Sequence, residues 1–555
     1  MKWSRVLWLL IIAQWSLAAT LHPVPQVSAL APVSVAPGSA AFTLTVNGAN
    51  FAKGAMVEWN GSTRVTTFVS AEQLTAKILA TDVAAAGTAS IKVINGSPGQ
   101  PLSNITYFPI VTAVSQVNFA QTNTLSVSGN PFVMTTADLN KDGILDLVLC
   151  RELTGKVSVL LGTGGGGFGT AKDYLIQGMC VSLVLGDFNG DGNVDVAASN
   201  TAVVSVLLGK GDGTLAQPVN YRAGMDPQGL VAGDFNGDGK LDLATANFDS
   251  SSVSVLIGNG DGTFQGHVDY TVDADPQGLV TGDFNGDGIL DLVVSNKTEN
   301  EVSLLLGVGD GTFGTPALFP AGVNPACLAT GDFNHDGKLD LVVSNLNPIT
   351  FPISILLGNG DGTFQPRKGY PAVALGTPQV ADVNGDGILD IVMANQAGPE
   401  VLLGKGDGSF QSGVLFSTQS ANALTIADFN GDGRLDFAVG GYSSGKVPIL
   451  LQTTVALSPT SINFGSQTVG TSTVMSATLT NFGATDVTIS KIILGGSNAA
   501  DYKLKNTCST TLSAGTSCTL TVTFTPSVKG QRLAMVTVTD SVPGPQVLSL
   551  SGVGK

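Results

Sequence analysis

Seven copies of one nine-residue pattern, Asp-x-Asn-x-Asp-Gly-x-x-Asp, concentrate the ligating groups of this 555-residue chain in its middle. Oxygen-bearing side chains stand at positions one, three, five and nine. Gly at position six allows a sharp bend, and the carbonyl of position seven can turn inward. Such a loop wraps a hard cation, and an all-oxygen set with three carboxylates suits Ca²⁺ better than a softer metal. The candidate ligands of the first three copies are Asp138, Asn140, Asp142, Ile144 and Asp146; Asp187, Asn189, Asp191, Asn193 and Asp195; and Asp234, Asn236, Asp238, Lys240 and Asp242. Those of the next two are Asp283, Asn285, Asp287, Ile289 and Asp291, then Asp332, Asn334, Asp336, Lys338 and Asp340. The last two supply Asp382, Asn384, Asp386, Ile388 and Asp390, then Asp428, Asn430, Asp432, Arg434 and Asp436. Position seven varies freely, as expected where only the backbone ligates. Up to seven Ca²⁺ are expected, one per loop. Zinc is disfavoured, because the loops hold no Cys and their one His, His335, is at the non-ligating fourth position. Asp, Asn and Gly favour turns anyway, but chance does not place seven complete copies in register. The expected role of the metal is structural, pinning the turn between two strands.

The loops start 46 to 50 residues apart, so the elements that position them repeat. One period reads as four strands. Gly278–Gly282 leads into the loop Asp283–Asp291, Leu292–Ser295 follows, and Lys297–Asn300 is a polar loop. Val302–Leu306 is the third strand, Gly309-Asp310-Gly311-Thr312 a tight turn, and Phe313 onward the fourth strand. Four strands per repeat describe a propeller blade. The last period stops after its third strand, Val447–Leu451, while the region opens with an extra piece, Val117–Ala120, that can supply the missing strand and seal the ring. The alternative is an open array.

Gly-Asp-Phe-Asn-Gly-Asp-Gly at 233–239 and 282–288, and Gly-Asn-Gly-Asp-Gly-Thr-Phe at 258–264 and 358–364, resemble FG-GAP/VCBS repeats, whose loops are of the kind found in integrin α subunits. The resemblance implies a seven-bladed β-propeller, Ca²⁺ in the first hairpin loop of each blade, and adhesion or ligand binding. One departure is Thr163-Gly-Gly-Gly-Gly-Phe168, which lacks the Asp found at Asp212, Asp261, Asp310, Asp361 and Asp407. Because strand direction alternates, the Asp loops and the Gly-Asp-Gly-Thr turns share one face. The other face carries the variable two-to-three loops, including Glu152–Gly155, Phe248–Ser251, Lys297–Asn300 and Tyr442–Gly445, which are either binding loops or merely unconstrained ones. The recurrent Phe264, Phe313, Phe364 and Phe410 are expected to pack between blades.

Residues 22–112 and 456–555 read as two further β domains. The first has alternating strands such as Phe42–Val46 and Ile91–Ile94, with Asn-Gly turns at Asn47-Gly48, Asn60-Gly61 and Asn95-Gly96. Its Phe42–Phe51 and Val57–Gly61 stretches resemble the IPT/TIG group of Ig-like domains. The second, with Leu457–Gly465 and the ending Leu548–Gly554, resembles the Ig-like domains of the Hydin and choice-of-anchor D kind. The whole is therefore expected to be all-β, a propeller spanning 117–453 flanked by two Ig-like sandwiches. Cys508 and Cys518, close in sequence and flanking a turn, are the best disulfide pair; Cys150 with Cys180 is open, and Cys327 has no evident partner.

Lys2 and Arg5, the apolar run Val6–Ala13 and the small residues around Ala18 read as a secretory signal over 1–18, the other reading being an uncleaved anchor. No other apolar stretch of about 18 residues follows, so no span is expected in the mature chain. The net charge of −16 argues against nucleic-acid binding. Its cause is local, since the seven loops hold 21 of the 42 acidic residues. The expected product is a secreted, monomeric, calcium-stabilised scaffold that binds an extracellular protein or glycan. The chain's three His form no visible nucleophile–base pair, and no Gly-x-Ser-x-Gly or His-Glu-x-x-His appears, so no catalytic residue is assigned. The alternative is an extracellular polysaccharide lyase or hydrolase built on the propeller.

Overall fold

The computed structural model describes residues 22–96, 101–114, 116–201, 203–346, 352–372, 376–395, 397–416, 418, 421–441, 445–483, 485–542 and 545–555. The signal-like segment 1–18 lies outside the described residues, as do most of the two-to-three loops at 347–351 and 442–444.

The repeat region is seven four-stranded antiparallel sheets, here blades 1 to 7, the first six with their strands in chain order. Blade 4 is representative: Pro276–Gly282, Asp291–Asn296, Glu301–Leu305 and Ala317–Pro320. Its second strand is buried along its full length, because neighbouring blades cover both faces. The first strand of each blade lies beside that of the next, and that of blade 7 lies beside that of blade 1. Blade 7 takes its outer strand from the far end of the region, where Phe119–Ser126 pairs antiparallel with Lys446–Gln452. The fold is all-β and of propeller type, and the ring is closed. The closing strand is longer than the Val117–Ala120 expected.

The fourth strand also differs from expectation. Phe313 makes a single bridge to Gly307 and the ladder resumes only at Ala317. Gly314 and Pro316 intervene, and Pro has no N–H to give the ladder. Freed from the sheet, Phe313 lies edge-on to Phe235 of the preceding blade at 5.5 Å and to Tyr270 at 5.5 Å. Phe264, Phe364 and Phe410 make the same kind of contact with Phe188, Phe284 and Phe333. Beside each ring a backbone hydrogen bond crosses between blades: Gly262 N–H donates to Phe188 O at 3.0 Å and Gly311 N–H to Phe235 O at 2.9 Å. The series closes where Gly166 of blade 1 donates to Phe429 O of blade 7 at 2.9 Å. Blade 7 has no such turn, and the Gln452 side chain donates to Val383 O at 2.7 Å in its place.

Residues 26–110 form two four-stranded sheets around Trp59, Phe108, Leu44 and Leu74. The Asn47-Gly48 turn is not there: both residues belong to the strand Phe42–Ala49. The pairing bulges opposite them, and a Cβ on Gly48 would lie 1.9 Å from Gln26 O, so this Gly marks a close backbone approach. After the ring, residues 455–554 form a four-stranded and a five-stranded sheet around Leu479, Leu520, Phe524 and Val536. Cys508 pairs with Cys518, and Cys150 of blade 1 with Cys180 of blade 2; Cys327 is the free cysteine among the described residues. The 30-residue separation of Cys150 and Cys180 predicts that Cys150→Ser lowers the unfolding free energy of the ring by about 3.6 kcal/mol, checked by denaturant melts. An unchanged midpoint would show the bridge to be idle.

Candidate calcium loops and the two faces of the ring

Each Asp loop is a web of hydrogen bonds onto its own backbone. In the loop of blade 2, Asp191 N–H donates to Asp187 Oδ1 at 3.1 Å and to Asn189 Oδ1 at 3.1 Å. Two ligand oxygens from positions one and three therefore converge on one point, and the same pair of bonds recurs in the other six loops. Position five accepts from the N–H of position seven, as Asp191 does from Asn193 at 2.8 Å. Lys240 and Lys338, at position seven, also carry their ammonium groups to within 3.5 Å of Asp238 and 3.9 Å of Asp336.

Position nine does something the sequence reading did not include. Asp291 is fully buried, and its two oxygens accept from Phe284 N–H at 2.9 Å and Gly307 N–H at 2.8 Å. Asp146, Asp195, Asp242, Asp340, Asp390 and Asp436 do the same between position two of the loop and the end of strand three. The carboxylate is a clamp that ties three segments of the blade together. Both oxygens are engaged, and each keeps one lone pair. Among the described residues no group of three or more His, Cys, Asp or Glu is drawn together tightly enough to hold a metal as it stands. The donor set still fits Ca²⁺: converging side-chain oxygens, a half-used inner carboxylate and no nitrogen or sulfur ligand.

Burial, with the other carboxylates of the loop, pushes Asp195, Asp242, Asp291 and Asp340 up to about 7 and Asp390 up to about 8. A folded value above the unfolded one, about 3.9, means the protonated form is preferred in the fold. That stability is fully present below about pH 4 and lost as pH rises through about 7 to 8. In chelator the ring is expected to melt at lower temperature at pH 8 than at pH 5, and in excess Ca²⁺ this difference is expected to shrink. A chelated ring whose melting temperature climbs across that window would contradict it.

The face that carries these loops is not open. The N-terminal sandwich sits on it. Val24 N–H donates to Asp234 Oδ2 at 2.7 Å, Ser34 Oγ to Asp382 Oδ2 at 2.5 Å and Thr88 Oγ1 to Asp428 Oδ2 at 2.8 Å. Asn50 N–H donates to Gly288 O at 3.0 Å, and Val114 N–H to Asn384 O at 2.9 Å. Clefts lie between sandwich and ring, one of about 300 Å³ beside Asp283 and Asp332 and another of about 570 Å³ between Tyr107, Asp138 and Asp428. Nothing in the sequence around Ser34 or Thr88 marked them as partners of the loops; ordinary hydroxyls in a β domain carry no such signal. On the opposite face the two-to-three loops pair with the incoming links, as where Asp249 N–H donates to Met225 O. Leu153, Leu175, Met179 and Met225 are exposed along this face of blades 1 to 3.

Comparison with known families agrees with the repeat geometry. The FG-GAP-like repeat profile matches residues 138–198, 187–245, 234–294, 283–343 and 382–439, and the abnormal spindle-like microcephaly-associated, ASPM-SPD-2-Hydin (ASH) profile matches residues 453–546. The chain thus carries FG-GAP-like repeats followed by an ASH domain. No curated protein matches it. Among solved structures it is similar to an Agrocybe aegerita lectin that recognises non-reducing terminal N-acetylglucosamine, at 18% identity over 66% of this chain and 95% of that one, TM-score 0.41. It is also similar to an auxiliary nutrient binding protein from Bacteroides ovatus, at 10% identity over 78% and 98% of the two chains, TM-score 0.36. It is also similar to an ASH/PapD-like domain of human CEP192, at 21% identity over 19% of this chain and 86% of that one, TM-score 0.16.

Proposed function

We propose that this is a secreted, monomeric ligand-binding scaffold: a seven-bladed propeller of the FG-GAP/VCBS kind over 117–453, carrying up to seven structural Ca²⁺. An IPT/TIG-like domain over 22–112 precedes it and the ASH-type domain follows over 456–555. The ligand, an extracellular protein or a glycan, meets the face opposite the Asp loops. One observation carries this: the loop face is taken by the chain's own N-terminal sandwich, while the other face presents Leu153, Leu175, Met179 and Met225 to solvent. Apolar side chains left exposed on an uncovered face offer a partner surface to bury. The test is a glycan and extracellular-protein binding screen of the chain in Ca²⁺, repeated with Leu153→Asp/Met225→Asp. Binding that disappears in this variant while its melt is unchanged supports the reading; binding that survives it assigns the ligand elsewhere.

A second reading, a polysaccharide lyase or hydrolase, draws on one pair of carboxyls. Glu301 is pushed up to about 7 by burial and by its hydrogen-bonded neighbour Asp273, away from the Asp loops. A carboxyl whose proton is held toward neutral pH beside a second carboxylate is suited to general acid–base work. Turnover of an acidic polysaccharide that is abolished by Glu301→Gln would favour it over the scaffold.

A further inference from the structure

The seven loops fall into two groups by what covers them. In blades 3, 6 and 7 the first Asp of the loop is buried, at 2%, 4% and 9% exposure, and its Oδ2 accepts a hydrogen bond from the N-terminal sandwich in addition to the one from the Gly at position six. In blade 4 the sandwich grips the loop by its backbone, through Asn50 N–H on Gly288 O. In blades 1, 2 and 5 the first Asp is only half-buried. The approach is close everywhere the domain lands: a Cβ on Gly433 would lie 2.7 Å from Gly87 N and Ile110 O, and one on Gly288 2.6 Å from Ala71 Cβ. The sandwich therefore reads the shape of four separate loops at once.

From this geometry we infer that seating of the N-terminal sandwich is linked to Ca²⁺ binding by the loops of blades 3, 4, 6 and 7, the cation locking sandwich and ring into one body. The inference rests on the calcium reading above. A rigid domain can meet four loops together only if all four hold their shape. Each loop brings three carboxylates together, and their repulsion opposes that shape until a divalent cation offsets it. Oδ2 carries the donor from the sandwich, while Oδ1 faces inward with the oxygen of position three, so docking and metal use different oxygens of one carboxylate. Linkage is reciprocal: whatever Ca²⁺ adds to docking, docking adds to Ca²⁺ affinity.

Hydrogen exchange on the full chain tests this at three amides that cross the interface, those of Val24, Asn50 and Val114. They are expected to exchange at least about tenfold faster in EGTA than in Ca²⁺, while the sandwich's core amides at Leu74, Ala76 and Ile78 change little. In calorimetry, Ser34→Ala/Thr88→Ala is expected to weaken part of the Ca²⁺ isotherm by about 3- to 10-fold with the number of bound ions unchanged. Ca²⁺ binding with equal exchange at the three amides in both buffers, or with superimposable isotherms, overturns the linkage alone. An absence of Ca²⁺ binding by wild-type chain overturns the calcium reading and the linkage with it.

Discussion

Removing calcium is expected to lower the melting temperature of the ring by about 7–18 °C while leaving the C-terminal sandwich where it is. Extracellular modules bind Ca²⁺ with dissociation constants of about 10⁻⁴ to 10⁻³ M. At about 2 mM free ion each occupied site then adds about 0.7 to 1.8 kcal/mol, or about 5 to 13 kcal/mol over seven loops. Dividing by the unfolding entropy of a β ring of this length gives the shift in temperature. The measurement is calorimetry in Ca²⁺ and in EDTA, with elemental analysis of the dialysed protein. A ring that carries no calcium and melts identically in both buffers would remove the metal from the account. The C-terminal domain is an internal control, since its core and its Cys508–Cys518 bridge contain none of the loops.

Asp291→Ala is expected to destabilise the ring by about 2 to 6 kcal/mol even in EDTA. The reason is the clamp. Phe284 N–H and Gly307 N–H both lose their acceptor in a fully buried place, and each orphaned donor costs about 1 to 3 kcal/mol. Asp287→Ala makes the contrast. Asp287 sits at the exposed position five and accepts from Ile289 N–H at 2.8 Å, which water can replace. Its loss is expected to matter in Ca²⁺ and to cost under about 1 kcal/mol in EDTA. Denaturant melts of both variants in both buffers separate ligand from clamp. Equal losses for the two in EDTA would mean that position nine serves the metal alone.

The repeat was legible because its residues are constrained twice. Gly at position six must bend the chain, and the acidic and amide groups must return to one point, so neither can drift without breaking the loop. The inter-blade role of Phe264, Phe313, Phe364 and Phe410 was legible for a related reason: one aromatic at one blade position meets the same neighbour in each blade. The strand boundaries were less so. Phe313 looked like the start of a strand because it is aromatic and follows a turn, but the Gly and Pro after it break the ladder. Asn47-Gly48 looked like a turn because that dipeptide usually is one; here the partner strand's close approach demanded the Gly instead.

Composition and period alone determined that this chain is all-β, that its middle repeats seven times and that its acidity is gathered in oxygen-rich loops. Those are local properties, written in spacing and residue type. Tertiary structure decided what lies beyond one blade. It made the ninth Asp a buried clamp, joined Cys150 to Cys180, and brought Phe119–Ser126 more than 300 residues along the chain to close the ring on Lys446–Gln452. It also set the N-terminal sandwich on the Asp loops through Val24, Ser34, Asn50 and Thr88, leaving the opposite face exposed. Contacts between distant segments depend on shape and on pairs of ordinary groups, and a backbone N–H or a lone hydroxyl leaves no pattern in the sequence from which its partner can be read.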